Sequence, residues 1–134
     1  MSMLKTDWVA LIGRLSLAAI FIIMGFAKIG GYDGMVQFAT SANVPFPEVA
    51  IVLAIIIELG GGLMIALGLK TRWAAKALAV FVLATMYFFH MNLADQGQMT
   101  MFLKNLAIFG GLLMLLAHGA GAYSIDAKMK KPTV

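Results

Sequence analysis

The sequence predicts an all-α integral membrane protein, with four spanning helices in an up-down-up-down bundle. Of the 134 residues, 62% are hydrophobic and only 12% are charged, and the mean hydropathy is +0.94. An ordinary soluble domain is about 45–50% apolar and about 25% charged. Four apolar runs each approach the roughly 20 residues that a spanning helix needs. The connections between these runs are short, which favours antiparallel neighbours.

The first predicted span covers residues 8–29 and carries one basic residue near each end. Trp8, at its start, is suited to the aromatic belt at a membrane surface. Arg14 lies just inside the near end and Lys28 lies at the far end. On an α-helix these two positions are about 21 Å apart along the axis and about 40° from sharing one face. Each side chain therefore either extends to its own membrane surface or points into the protein.

The first connection, residues 30–47, combines turn residues with apolar residues at helical spacing. The letters GGYDG precede Met35, Val36, Phe38 and Ala39, and NVPFP follows them. This order predicts a turn, a short amphipathic helix at the membrane surface, and an entry into the next span that proline directs. The helix either shortens the connection, which is the simpler interpretation, or forms a lid over the outer face.

The second predicted span, residues 49–69, carries a carboxyl group near its middle, that of Glu58. An ionisable side chain at the bilayer centre costs about 2.5–3.5 kcal/mol on insertion scales, so we expect Glu58 to face protein and not lipid. Gly61 and Gly62 flank the same helix face one turn further on. Such small residues predict that another helix approaches closely and brings a partner to the carboxylate.

The third predicted span covers residues 73–91 and the fourth covers residues 100–118. Lys104 and Asn105 lie in the first turns of the fourth span. Residues 119–134 form a polar and basic tail, whose last few residues we expect to be disordered.

Basic residues are distributed unequally between the two sides of the predicted bundle. The amino end, the second connection and the tail hold Lys5, Lys70, Arg72, Lys76, Lys128, Lys130 and Lys131, whereas the opposite side holds Lys28 and Lys104. By the positive-inside rule, both termini are predicted to be cytoplasmic. The net charge of +4 and the pI of 9.6 therefore indicate contact with anionic lipid and not with nucleic acid.

Several polar residues fall near the outer ends of their predicted spans. Lys28, His90, Lys104 and Asn105 come from three helices but lie within about two turns of the outer surface. We expect them to form one outer polar cluster.

Glu58 lies deeper than this cluster, about 13–14 Å below the outer end of its span. Arg14 approaches Glu58 from the inner side, so an ion pair between the two is geometrically feasible. Such a pair merely satisfies two buried charges. In the functional alternative, the membrane-embedded carboxylate beside the His and Lys cluster belongs to a proton-handling or quinone-headgroup site. Quinone reduction needs hydrogen-bond donors and a proton source at the ring oxygens.

The remaining residue types exclude several kinds of redox centre. His90 and His118 lie at opposite ends of the bundle, separated by about 30 Å of hydrocarbon, so one haem cannot take both as ligands. His90, with Tyr87 one turn before it, is the better functional candidate. The chain has no Cys, and its one central carboxylate, Glu58, does not make a metal site. The eleven Met residues indicate adaptable packing.

Several short segments follow one another along nearly the whole chain. The chain has an early Arg in the first span, then FIIMGFAKIGGY, IELGGGLMIALGLKTR, FFHMNLAD, MFLKNLAIFGGLLML and GAGAYSID. In their order and spacing these segments resemble the DoxX family of small bacterial inner-membrane proteins. The resemblance implies a four-helix protein of the bacterial cytoplasmic membrane. It also points to DoxD, a subunit of a thiosulfate:quinone oxidoreductase, and to a membrane-associated oxidoreductase complex that includes a DoxX member.

From the residues and this resemblance we expect a membrane-embedded subunit of a quinone-linked oxidoreductase system. The positions that match the family's polar pattern are Arg14, Lys28, Glu58, His90, Lys104 and Asn105. Glu58 and His90 are the candidates for catalytic proton transfer, and the other four are candidates for binding the quinone. Whether the protein has a redox partner protein, forms a homo-oligomer or is active as an isolated chain is left undecided by the sequence. The alternative is a non-catalytic scaffold or small-solute carrier in which the ionic groups fix helix packing.

Overall fold

The computed structural model describes residues 3–130, with side chains from Lys5 onward, and all secondary structure in this range is helical. The predicted all-α class is therefore confirmed for these residues. Residues 131–134 of the predicted tail, with Lys131, lie outside the described range. The helices are α1 (Met3–Gly30), α2 (Tyr32–Ser41), α3 (Pro47–Leu67), α4 (Thr71–Phe89), α5 (Gln96–His118) and α6 (Ile125–Met129).

Four of these helices, α1, α3, α4 and α5, are long and apolar enough to cross a membrane. They correspond to the four predicted spans but differ at the ends. Helix α5 begins at Gln96 and not at residue 100, because its backbone hydrogen bonds start at the N-cap Asp95, whose carbonyl accepts from the Met99 amide at 2.9 Å. Helix α4 ends at Phe89 and not at residue 91, because the backbone leaves the helix at His90 (φ −132°). A helix ends where its hydrogen bonds end, whatever the position of the lipid boundary.

The spanning helices pack as a bundle in chain order. Helix α1 packs against α3, α3 against α4 and α4 against α5, whereas α1 and α5 contact one another less. The interior is apolar, with Phe21, Ile65, Leu78, Val82 and Leu112 almost completely buried. The opposite faces carry exposed Ile, Leu, Val, Phe and Met, which in a membrane contact acyl chains.

The even number of spans brings both ends of the described chain to one end of the bundle, which we call the inner end. There the rings of Trp8 and Tyr123 lie 5.0 Å apart. The inner end also carries the α3–α4 connection, and the outer end carries α2 and the α4–α5 connection. That the inner end is cytoplasmic stays a prediction from the basic residues.

Helix α2 confirms the predicted helix in the first connection. Ala39 is fully buried, and Phe38 stacks on Phe89 of α4 with 4.8 Å between ring centroids. The chain then turns through Asn43 and Phe46, both at positive φ, and enters α3 with Pro47 in its first turn. Because α2 contacts both α3 and the end of α4, it covers the outer end of the bundle as a lid does, and it is more than a short connection.

Glycines in α3 allow both neighbouring helices to approach, as the sequence predicts. A Cβ at Gly61 would lie 2.9 Å from Cγ of Leu78 in α4. A Cβ at Gly62 would lie 3.0 Å from Cγ1 and 3.2 Å from the backbone N of Ile22 in α1. Helix α3 is therefore held between α1 and α4 at the level just below Glu58.

We expect Gly62→Ala to destabilise the protein by about 1–3 kcal/mol, because the added methyl group overpacks the contact between α3 and the α1 backbone. The measurement is the thermal unfolding midpoint in detergent. Gly60→Ala is the matched control, since a Cβ at Gly60 would have no neighbour within 4 Å. Equal midpoints for the two variants would contradict the close approach.

Candidate functional site

An ion pair joins α1 and α3 in the apolar interior. Lys28 Nζ lies 2.8 Å from Oε2 of Glu58 and donates a hydrogen bond to Oε1 at 3.2 Å. The side chains of Lys28 and Glu58 are only 12% and 6% exposed. Glu58 thus faces protein, as predicted, and its counter-charge comes from the preceding spanning helix.

Local sequence explains why Lys28 reaches Glu58. Gly25 lies one turn before Lys28, and a Cβ at Gly25 would clash with the side chain of Leu59, the residue next to Glu58. The two backbones can therefore come close at this level. The flexible Lys28 side chain in the last turn of α1 then extends to the carboxylate.

The ion pair borders a cavity of about 800 Å³, which we call the outer cavity. All four spanning helices and α2 contribute to its lining. Five of the six residues singled out in the sequence line it: Lys28, Glu58, His90, Lys104 and Asn105. The structure therefore brings together residues from α1, α3, the end of α4 and α5. Whether they act on a ligand stays a prediction.

Most of the outer cavity is apolar and aromatic, which the sequence analysis missed. Its aromatic side chains include those of Phe38, Phe81, Phe88 and Phe89. Phe81, Thr85 and Phe88 follow the i, i+4, i+7 spacing of one helix face, and this spacing is the signal that could have identified them. Such a lining suits a flat, largely apolar ligand with a few polar atoms.

His90 presents a buried nitrogen at the outer cavity. Its Nδ1 is buried and has no hydrogen-bond partner among the residues that the structure describes. A neutral imidazole at this position offers one donor and one acceptor. Tyr87, which the sequence paired with His90, is 70% exposed and packs edge-on against Phe88 instead. The chain leaves helical geometry at His90, so helical spacing does not predict where its ring points.

Arg14 does not pair with Glu58, which corrects the pairing considered from the sequence. It lies at the inner end, where it donates hydrogen bonds to the carbonyls of Ala120 at 2.6 Å, Tyr123 at 2.8 Å and Ala66 at 3.3 Å. The backbone after α5 is irregular, so its carbonyls need donors that a helix would have supplied. Arg14, which is 4% exposed, supplies them, and it does not line the outer cavity.

Asp126 completes this contact between the inner end and residues 119–130, which we call the C-terminal segment. Its carboxylate accepts from the backbone N–H groups of Lys70 at 2.6 Å and Thr71 at 2.9 Å, at the start of α4. Burial acts to raise the pKa of Asp126, but hydrogen bonds from Thr71 and Lys70 and the positive charge of Arg14 outweigh it and hold the pKa below its usual value. The C-terminal segment is therefore held against the bundle by both α1 and α4.

The fold and the outer cavity define a class: a four-span membrane protein with a buried ion pair beside an interhelical pocket. The chain belongs to the DoxX family, whose sequence model, described as DoxX, matches residues 9–91. The resemblance found in the sequence is thereby confirmed.

Three relatives are similar over most of their length. "Inner membrane protein YqjF" of Escherichia coli strain K12 is 42% identical over 90% of this chain and 92% of that protein. "Inner membrane protein YphA" of the same strain is 36% identical over 88% of each chain, and an uncharacterized protein of Haemophilus influenzae is 33% identical over 88% of each. No solved structure is significantly similar. With its four apolar helices, this chain is a multi-pass inner-membrane protein.

We expect the Lys28–Glu58 pair to show strong coupling in a double-mutant cycle. Lys28→Met or Glu58→Leu alone leaves one buried charge without its partner, which costs about 3–5 kcal/mol. The double variant Lys28→Met/Glu58→Leu should recover most of this loss, because neither charge remains. Thermal unfolding in detergent measures the three variants, and additive losses in the double variant are the result that contradicts the pair.

We expect the contact made by Asp126 to weaken in acid. Because folding holds the pKa of Asp126 below its unfolded value, its contribution is complete above that unfolded value, about pH 4, and is lost as pH falls through the folded pKa. Hydrogen-exchange protection of the Lys70 and Thr71 amides should therefore drop in acid. Asp126→Asn should lower this protection at neutral pH. Asp33→Asn, which removes an exposed acid on α2, should leave it unchanged, and unchanged protection in Asp126→Asn would rule out the contact.

Proposed function

We propose that this protein is the quinone-binding subunit of a membrane oxidoreductase system, with the quinone headgroup in the outer cavity. The observation that carries the proposal is the combination of an aromatic cavity with a buried Lys28–Glu58 pair and an unpartnered His90 nitrogen. Ligand pockets commonly have volumes of about 300–1,000 Å³ and a few convergent polar groups in an apolar lining. The outer cavity has these properties.

The polar groups match the two oxygen atoms of a quinone ring. Lys28 and Lys104 are hydrogen-bond donors, and neutral His90 donates through one nitrogen, so a ring oxygen can be bound without a metal ion. The phenylalanine side chains supply faces against which the ring can stack. These contacts would hold the ring with one of its oxygens towards the ion pair.

A quinone with an isoprenoid tail must enter from the lipid, and the lining residues support such an entry. Ile20 and Met24 of α1 and Met101 of α5 line the outer cavity, yet they are 37%, 45% and 41% exposed. Of the packed pairs of spanning helices α1–α3, α3–α4, α4–α5 and α1–α5, the pair α1–α5 has the least contact. The opening between them would let the tail remain among acyl chains while the headgroup lies inside.

Reduction of a quinone to a quinol takes up two protons and two electrons. In our proposal one ring oxygen receives its proton through His90 and the other receives its proton through Glu58, since a carboxyl and an imidazole are the usual proton-transfer groups. The electrons would come from a redox partner protein, because this chain has no Cys for thiol chemistry or thiolate-bound clusters. That the chain forms a homo-oligomer remains a prediction.

We expect the purified protein to bind a ubiquinone or menaquinone analogue, measured by isothermal titration. Glu58→Gln and His90→Ala should each weaken binding by about tenfold or more, as expected when a hydrogen bond involving a charged or buried group is lost. His118→Ala is the matched control, since His118 lies at the inner end. Parental affinity in both site variants would refute the proposed site.

A second candidate function is a non-catalytic scaffold or small-solute carrier. The observation in its favour is that the Lys28–Glu58 pair directly bridges α1 and α3, as an element of helix packing would. In that case Glu58→Gln lowers stability but no quinone analogue binds to the parent protein. Thermal unfolding and quinone titration of the same preparation separate the two functions.

A further inference from the structure

A second cavity, of about 640 Å³, opens at the inner end, and we call it the inner cleft. It lies between the start of α4, the end of α5 and the C-terminal segment. Four of its lining residues carry basic side chains: Lys70, Arg72, His118 and Lys130. Nothing in the proposed quinone chemistry uses these residues, because the outer cavity lies at the other end of the bundle.

The inner cleft carries a net positive charge, because Lys70, Arg72 and Lys130 outnumber Asp126, the one acid in its lining. The Asp126 carboxylate accepts backbone N–H groups at the start of α4, and among residues 3–130 it forms no ion pair with a lysine of the cleft. Within residues 3–130, the ammonium groups of Lys70 and Lys130 have neither an ion pair nor a hydrogen bond. The charges of these side chains are therefore available to an anion.

Arg72 is held in position for such an anion. Its Nε donates to the carbonyl of Leu116 at 3.0 Å. Its guanidinium lies against Gly119, where a Cβ would be 3.3 Å from Nη2, and Gly119 has a φ of +78° that disfavours any side chain. Among residues 3–130 no acceptor binds the terminal N–H groups of Arg72, so they can form the paired hydrogen bonds that guanidinium makes with phosphate.

The surroundings of the inner cleft place it at the level of lipid headgroups. Trp73, which lines the cleft, is 73% exposed, as expected for the aromatic belt, and Lys76 Nζ lies 5.7 Å from its ring centroid. Met129, also in the lining, is 67% exposed and offers an apolar surface beside the basic residues. A basic cleft between helices at this depth is a recognised setting for phospholipid headgroups.

We propose that the inner cleft binds a phosphate group, and that its source is the headgroup of an acidic phospholipid. Arg72 binds the phosphate oxygens directly, while Lys70 and Lys130 add charge on either side. Acyl chains of the lipid lie along the exposed apolar faces of α4 and α5. This site is independent of the proposed quinone function.

The experiment uses the full chain in vesicles, with Trp8→Phe as background so that Trp73 is the one fluorescent tryptophan. Quenching by brominated phosphatidylglycerol relative to brominated phosphatidylcholine gives the preference for the acidic lipid at Trp73. Arg72→Gln and Lys130→Gln should each lower this preference by about fivefold, the usual effect of one basic residue near a membrane surface. Lys130 is exposed and makes no side-chain hydrogen bond within residues 3–130, so its variant should fold as the parent does.

Lys128→Gln is the matched control, because Lys128 lies in α6, two residues before Lys130, but does not line the inner cleft. Its preference should equal that of the parent. Equal losses in the Lys128 and Lys130 variants, or no preference in the parent, overturn the proposal.

A competition arm distinguishes the two sources of phosphate. Inorganic phosphate added to the vesicles at constant ionic strength should leave the preference for phosphatidylglycerol unchanged if the lipid headgroup is the ligand. Loss of the preference for phosphatidylglycerol on addition of inorganic phosphate overturns the assignment to lipid and assigns the cleft to a free phosphate ion.

Discussion

The buried ion pair between Lys28 and Glu58 is the interaction on which the rest of this structure depends. A carboxylate in the middle of a spanning helix has no water to solvate it. The free energy lost by this desolvation must be offset by an interaction with a neighbouring helix. Lys28 provides the counter-charge at 2.8 Å, but only because Gly25 lets α1 and α3 approach at that level. Packing and electrostatics are thus coupled: the charges need close helices, and the glycines provide them.

The two ends of the bundle have different structural roles. At the inner end, Arg14 and Asp126 satisfy backbone groups of the C-terminal segment and of the α4 start, so the helices are tied together there. At the outer end, large aromatic side chains and the lid helix α2 surround a cavity. Because hydrogen bonds hold the helices together at the inner end, the outer half of the bundle can enclose a cavity without the helices separating.

Membership of the DoxX family places this chain among inner-membrane proteins, and the two cavities extend that description in separate directions. The outer cavity combines an apolar and aromatic lining with the titratable side chains of Glu58 and His90, and this combination underlies the proposed quinone site. The inner cleft combines basic side chains with an interfacial tryptophan, and this combination underlies the proposed phosphate site. Because they lie at opposite ends of the helices, a ligand in one need not contact a ligand in the other.

The sequence by itself determined the class, the number of spans, the family and the inward direction of Glu58. These follow from local properties: the length of apolar runs, the cost of a charge in lipid and the order of short segments. It also identified five residues that line the outer cavity, because polar side chains in a membrane protein are few and stand out from their apolar neighbours.

Only the tertiary structure decided which charge pairs with which. From the sequence, Arg14 was considered as the partner of Glu58 and Lys28 was assigned to the outer cluster, because spacing along one helix says nothing about the rotation of that helix against another. In the structure Lys28 pairs with Glu58. Arg14 donates hydrogen bonds to the carbonyls of Ala120 and Tyr123, which lie more than a hundred positions away in the chain. The aromatic lining was also hidden, because an apolar residue in a spanning helix has the same signature whether it faces lipid, a packed core or a cavity.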